Sequence, residues 1–92
     1  MVSAKVKIQN EEGLHLKPAG NLCKEALKFE CLIRIKKENR TGNAKSVISV
    51  LSTCVRGGDE IQLICEGADE EEALASLIHL IDTGLLAPEA AE

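Results

Sequence analysis

The chain has 92 residues, of which 45% are hydrophobic, and a formal net charge of −4 at pH 7. This size and apolar content suit one small globular domain and exclude an intrinsically disordered tail. Phe29 is the only aromatic residue, which argues against a nucleic-acid surface that stacks bases on rings. No apolar run reaches the roughly 18 residues of a membrane span, and residues 1–5 do not resemble a signal peptide. We therefore expect a cytoplasmic protein without direct membrane insertion.

Positive and negative charges are segregated along the chain. Every Lys and Arg lies between Lys5 and Arg56, whereas residues 57–92 contain only Asp and Glu as charged groups. A basic surface built by the first part would steer an acidic partner or a phosphate toward it. The same segregation also fits charged faces that only keep the protein soluble.

The four cysteines show neither a C-x-x-C pair nor a zinc-like spacing. They are Cys23, Cys31, Cys54 and Cys65. Because each falls on an apolar position of its predicted element, we interpret all four as small buried residues in a reducing compartment. We expect no metal site and no cofactor.

The first half of the chain predicts a strand, a helix and two further strands. Residues 2–9 alternate between apolar and polar and indicate a strand with one face on a core. A helix is expected after the turn at 10–13 and continues to about Phe29. Residues 31–36 alternate again, and residues 40–43 predict a short edge strand. The apolar stripe of the helix comprises Leu16, Ala19, Leu22, Cys23, Ala26 and Leu27.

A short helix and another strand are predicted next. Ser46 is a suitable N-cap for the helix, and Gly57-Gly58 is expected to end it. The positions on one face of this helix are Val47, Ile48, Leu51, Cys54 and Val55. Residues 61–65 alternate as a strand.

The last element is predicted to be a longer helix. Asp69 and Glu72 resemble a capping box at its start. Its buried stripe comprises Leu74, Leu77, Ile78 and Ile81. His79 falls outside this stripe, so we expect it at the surface. Residues 86–92 are expected to form a frayed tail after a domain of residues 1–85.

This order of elements predicts an α+β fold. The expected architecture is an open-faced β-sandwich in which three helices cover one face of a four-stranded antiparallel sheet, in the order βαββαβα.

The stretch 12–20, Glu-Gly-Leu-His-Leu-Lys-Pro-Ala-Gly, places His15 where a turn becomes a helix. Gly13 can adopt the backbone angles of such a turn, and Pro18 fits the first helical turn. Unpaired N–H groups and the helix dipole favour an anion there. A neutral imidazole nitrogen at this position can act as a nucleophile. Local features alone also fit a solvated cap residue.

Gly-Leu-His-Leu-Lys-Pro-Ala at 13–19 resembles G-L-H-A-R-P-A, the active-site signature of HPr, the histidine phosphocarrier of the bacterial sugar phosphotransferase system. The order of elements over about residues 2–84 also resembles that family. The resemblance implies that His15 accepts a phosphoryl group on a ring nitrogen from enzyme I, which phosphoenolpyruvate charges, and passes it to enzyme IIA proteins for sugar uptake. It implies that the protein is a phosphoryl carrier and not an enzyme. We expect it to be a monomer that binds no nucleic acid.

Two residues depart from the family signature. Leu16 replaces the usual Ala, and Lys17 replaces the usual Arg as the charge partner of the phosphate. Lys keeps the positive charge but lacks the planar fork that binds phosphate oxygens in pairs, so we expect slower transfer or altered partner preference. Lys24 and Lys45 are expected to extend the basic surface near His15. The alternative for Lys17 is a solvated lysine at a helix start.

Lys45-Ser46-Val47-Ile48 is similar to a stretch of HPr proteins from Gram-positive bacteria that HPr kinase/phosphorylase modifies on serine. The resemblance implies regulatory phosphorylation of Ser46 and a link to a catabolite-control regulator. Ser46 also fits a helix cap without any regulatory role.

The family docks its partners beside the histidine. The residues expected on that docking surface are Leu16, Gly20, Lys24, Val47, Ile48 and Leu51. By periodicity alone, the three residues of the short helix belong to the core.

Two other functions stay open. One is a regulatory paralogue for carbon or nitrogen control that uses His15 or Ser46 only as a signal. The other is a small α+β domain whose helix binds a free anion without covalent chemistry.

Overall fold

Seven elements make up residues 1–85, the part of the chain that the computed structural model describes. The strands are β1 (Val2–Lys7), β2 (Leu32–Lys37), β3 (Arg40–Asn43) and β4 (Glu60–Glu66). The helices are α1 (Leu16–Ala26), α2 (Val47–Leu51) and α3 (Glu70–Asp82). The predicted element order and fold class are confirmed. The tail expected at 86–92 lies outside the described residues.

The sheet is antiparallel throughout and has the strand order β1-β4-β2-β3. Ala4 pairs with Leu63, which pairs on its other side with Ile35. Leu63 and Ile35 are fully buried. Since side chains alternate between the faces of a strand, the residues between them, such as Gln62 and Lys36, lie on the open face.

The three helices cover the other face of the sheet. Helix α1 packs against α2 and α3, α3 lies over β1 and β4, and α2 lies over β3. Leu22 and Leu77 are completely buried between these layers. The predictions that Leu77 and Ile81 are buried and that His79 is exposed are confirmed, while Leu74 is half-buried. None of the helices in residues 1–85 is long and apolar enough to cross a membrane.

Helix α1 is shorter than predicted, and its apolar stripe is narrower. It ends at Ala26 and not at Phe29. Leu27 is the C-cap, and the N–H groups of Lys28 and Phe29 bond to carbonyls three residues back and not four. Leu16 is 69% exposed and Leu27 is 60% exposed. Both belong to the predicted apolar stripe of the helix, although Leu16 was also expected on the docking surface. Leu14, two residues before the helix begins, is buried in the core at that end.

Helix α2 also ends early, at Leu51. The break comes from Cys54, which adopts a left-handed conformation with φ of 57°, and not from Gly57-Gly58. Cys54 is exposed, so the interpretation of all four cysteines as buried is wrong for this one. It is correct for Cys23, Cys31 and Cys65.

Asp69 does not form the predicted capping box. It is the N-cap of α3, but its side chain makes no cap hydrogen bond. Its two carboxylate oxygens instead accept the backbone N–H groups of Glu30 and Cys31, each at 2.9 Å. The hydrogen bond from Glu30, followed by those from Cys31, lowers the pKa of Asp69 although desolvation opposes the shift. Asp69 therefore fastens the start of α3 to the start of β2.

Replacing Asp69 with Ala should lower the melting temperature by several degrees, because both N–H groups lose a charged acceptor. The stabilisation by Asp69 should also depend on pH. A carboxyl group with a lowered folded-state pKa stabilises the fold above its unfolded pKa, and this contribution is lost as the pH falls through the folded pKa. We therefore expect the difference in stability between the wild type and a second variant, D69N, to shrink below the ordinary carboxyl pKa of 3.8. Urea unfolding at neutral pH and at about pH 2 measures this difference.

The variant D82N removes an exposed carboxylate at the other end of α3 and serves as the matched control. An advantage over D69N that persists undiminished at about pH 2 would contradict the role given to the Asp69 carboxylate.

Candidate functional site

His15 is the N-cap of α1. Its backbone is extended, with φ of −78° and ψ of −172°, and its carbonyl accepts the first helical hydrogen bond from the N–H of Ala19 at 2.8 Å. The imidazole is exposed and makes no cap hydrogen bond. Its nitrogens are therefore open to an incoming group.

Three hydrogen bonds hold the loop before His15, two of them between backbone groups. Gly13 has φ of +69° and donates its N–H to the carbonyl of Asn10, whose side-chain amide returns a hydrogen bond to the Gly13 carbonyl at 2.8 Å. Leu14 is buried and donates its N–H to the carbonyl of Val55 at 3.1 Å. An exposed imidazole thus stands on a fixed base.

A surface depression of about 430 Å³ lies beside His15. Its lining includes Leu16, Lys17, Asn21 and Leu85 together with His15. The Asn21 amide donates to the Leu85 carbonyl at 2.8 Å, which fastens the end of the described chain to α1. The exposed ammonium of Lys17 and the unpaired N–H groups of the first helical turn suit an anion bonded to His15.

The exposed side of α1 continues away from His15. Gly20 and Lys24 follow Leu16 at intervals of four residues, which places all three along one face of the helix. An added Cβ on Gly20 would have no atom within 4 Å, so the helix surface is open there. Lys45 does not join this surface near His15. Its ammonium donates to the carbonyl of Phe29, beyond the opposite end of α1.

Ser46 caps α2, as predicted. Its hydroxyl accepts the N–H of Ser49 at 3.3 Å, and its carbonyl accepts the N–H of Val50 at 2.9 Å. Ile48 is 81% exposed, whereas Val47 and Leu51 are half-buried against the core. The proposed docking residues of α2 are therefore divided between surface and core.

The loop that carries Val55 holds a polar network that periodicity did not indicate. Asp59 accepts from the Lys37 ammonium at 2.8 Å and from the N–H of Arg56 at 2.8 Å. These two hydrogen bonds lower the pKa of Asp59, and the one from Lys37 has the larger effect. Lys37 also donates to the carbonyl of Cys54 at 3.1 Å. The only sequence signal in this loop was Gly57-Gly58, which we interpreted as the end of a helix.

Within residues 1–85, no group of three or more His, Cys, Asp or Glu side chains is placed to hold a metal ion.

A family model described as the PTS HPr component phosphorylation site matches residues 2–83. The chain belongs to the HPr family. The resemblance seen in stretch 13–19 is thereby confirmed over nearly the whole described chain.

Curated HPr relatives of two kinds are similar to this chain. The HPr-like protein Crh of Halalkalibacterium halodurans is 38% identical over 82 residues, which cover 89% of this chain and 98% of that protein. The phosphocarrier protein HPr of Mycoplasma capricolum subsp. capricolum is 36% identical over 80 residues, covering 86% of this chain and 90% of that one.

The crystal structure of HPr-C-His from Thermoanaerobacter tengcongensis has the same fold. It superposes with a TM-score of 0.90 at 38% identity and covers 92% of this chain and 96% of that one. The open-faced sandwich of this chain is therefore the HPr fold.

Proposed function

We propose that this HPr-family chain is a phosphoryl carrier in which His15 takes the group from enzyme I and passes it to enzyme IIA proteins. A lone pair on an imidazole nitrogen forms the bond to phosphorus while the bond to the donor's leaving atom breaks. The reverse exchange hands the group to the acceptor. The observation that supports this role best is the exposed His15 side chain, held at the end of α1 beside Lys17.

A carrier must bind its phosphoryl group strongly enough to keep it and weakly enough to release it. The first-turn N–H groups of α1 and the charge of Lys17 offer a moderate hold. These features support a carrier that turns over no substrate by itself. We further propose that the protein acts in the cytoplasm as a monomer; both statements remain predictions.

Incubation with enzyme I and phosphoenolpyruvate should add one phosphoryl group to the protein, because His15 provides an accessible nitrogen nucleophile. Intact-mass measurement should show this gain in the wild type, its loss in mild acid, and its absence in H15A. H79A is the matched control, since His79 is also exposed, and it should gain the group normally. An active enzyme I that leaves the wild-type mass unchanged would overturn the carrier proposal.

Lys17 should make transfer slower than an arginine would. Its ammonium is a point charge, whereas a guanidinium fixes two phosphate oxygens at once. We expect K17R to transfer the group roughly three- to tenfold faster and K17Q to transfer it more slowly than the wild type. Steady-state transfer to an enzyme IIA protein measures both; a K17R variant slower than the parent would contradict this interpretation.

We also propose that phosphorylation of Ser46 by an HPr kinase/phosphorylase regulates docking, with a catabolite-control regulator as a further partner. The helix end at Ser46 can accommodate a phosphate, and the neighbouring Ile48 is exposed. The added negative charge would repel acidic partners without unfolding the domain.

S46D should slow phosphoryl transfer from enzyme I roughly tenfold, while its stability stays near that of the wild type. S46N is the control, because Asn caps a helix as Asp does but adds no charge. Transfer rates and melting temperatures of the two variants separate the effect of charge from that of capping. Equal rates for S46D and S46N would exclude charge at this position as a regulator.

The similarity to Crh supports a second candidate, a regulatory member of the family. In that case His15 or Ser46 would be modified only as a signal, and the phosphoryl group would not continue to an enzyme IIA protein. The non-covalent anion-binding alternative would give no stable mass gain with enzyme I.

A further inference from the structure

A second depression, of about 350 Å³, lies between the β2–β3 turn and the loop before β4. We call it the arginine pocket. It is lined by Lys37, Glu38, Arg40, Cys54, Arg56 and Asp59. None of these residues lines the depression beside His15.

The base of the arginine pocket is held in place. Lys37 links the two sides, because it contacts the Asp59 carboxylate from β2 and donates to the carbonyl of Cys54. The same carboxylate fixes the backbone N–H of Arg56. Glu38 and Cys54 both have left-handed backbones, with φ of 55° and 57°. Non-glycine residues rarely adopt this conformation unless the surrounding structure enforces it.

The rim of the arginine pocket carries an excess of positive charge. Arg40 and Arg56 are exposed, and no residue among 1–85 forms an ion pair with either of them. Lys37 and Asp59 pair at 2.8 Å, and the charge of Arg56 also helps to lower the pKa of Asp59. With three cations and two carboxylates, the lining keeps a surplus of one positive charge. Each guanidinium can bind a phosphoryl group through two parallel hydrogen bonds.

We propose that the arginine pocket binds a small anion with two phosphoryl groups, such as a diphosphate or a bisphosphate ester. Arg40 and Arg56 each bind one phosphoryl group, and the surplus charge attracts the ligand. This goes beyond the carrier function of His15 and does not depend on it.

The pocket is joined to the His15 site through the backbone. Val55 lies between two pocket residues, Cys54 and Arg56, and accepts the N–H of Leu14 next to His15. A bound anion would hold the loop that supports the imidazole. Ligand binding should therefore be visible at the amide of Leu14 without direct contact.

Titration of the full chain with pyrophosphate at constant ionic strength, followed by amide NMR, tests this site. We expect saturable shifts at Arg40, Cys54 and Arg56, with a smaller shift at Leu14, and the same response in H15A. R40Q and R56Q should each weaken binding about tenfold or more, the loss expected for one charge-assisted pair. R56K should also weaken it, because the charge remains but the fork is lost.

The matched control is K28Q, which removes an exposed positive charge paired with Glu25 near the far end of α1. Its affinity should equal that of the wild type. If K28Q weakens pyrophosphate binding as much as R40Q does, the net charge of the protein explains the affinity and the proposal is overturned. Non-saturating shifts, or shifts centred on Lys17 that vanish in H15A, would overturn it as well, while the carrier function would still stand.

Discussion

The position of the imidazole depends on one close backbone contact, between Gly13 and the loop that precedes β4. A Cβ atom on Gly13 would lie 2.5 Å from the carbonyl oxygen of Val55 and 2.6 Å from the Cα atom of Arg56. Both distances are shorter than van der Waals contact, and the φ of +69° also disfavours any side chain. Only glycine lets the two loops touch, and this contact allows Leu14 to bond Val55 and enter the core. The backbone of His15 is thereby held in place while its imidazole is exposed to solvent.

Local pattern was enough for most of the fold. The alternation of Ile61, Leu63 and Cys65 is a property of consecutive residues, so it predicted β4 and its buried face directly. The role of Asp69 could not be predicted in this way, because its partner Cys31 lies 38 positions away in the sequence. A carboxylate at a helix start has the same local signature whether it caps its own helix or fastens another element.

The candidate site shows the same division. The motif around His15 and Lys17 predicted the family, and the family model confirms it. The prediction that Lys45 lies near His15 was wrong. Its ammonium donates to the carbonyl of Phe29, which is free to accept this hydrogen bond because α1 ends before it. Arg56 gave no signal at all, since the pocket it lines is assembled from a turn and a loop that the sequence separates.

The strand order places some basic residues opposite acidic ones. The sequence places basic residues first and acidic residues last, but β4, from the acidic part, pairs between β1 and β2. Lys7 therefore lies opposite Glu60 across one pair of strands, and Arg34 forms an ion pair with Glu66 at 3.6 Å across the other. Opposite charges on neighbouring strands offset each other. Among the cations that form no ion pair within residues 1–85, Lys17 at the start of α1 and Arg40 after the β2–β3 turn lie away from β4. Lys5 and Lys36 also form none, because each pairs in register with the neutral Gln62 of β4. The two proposed anion sites lie at Lys17 and at Arg40.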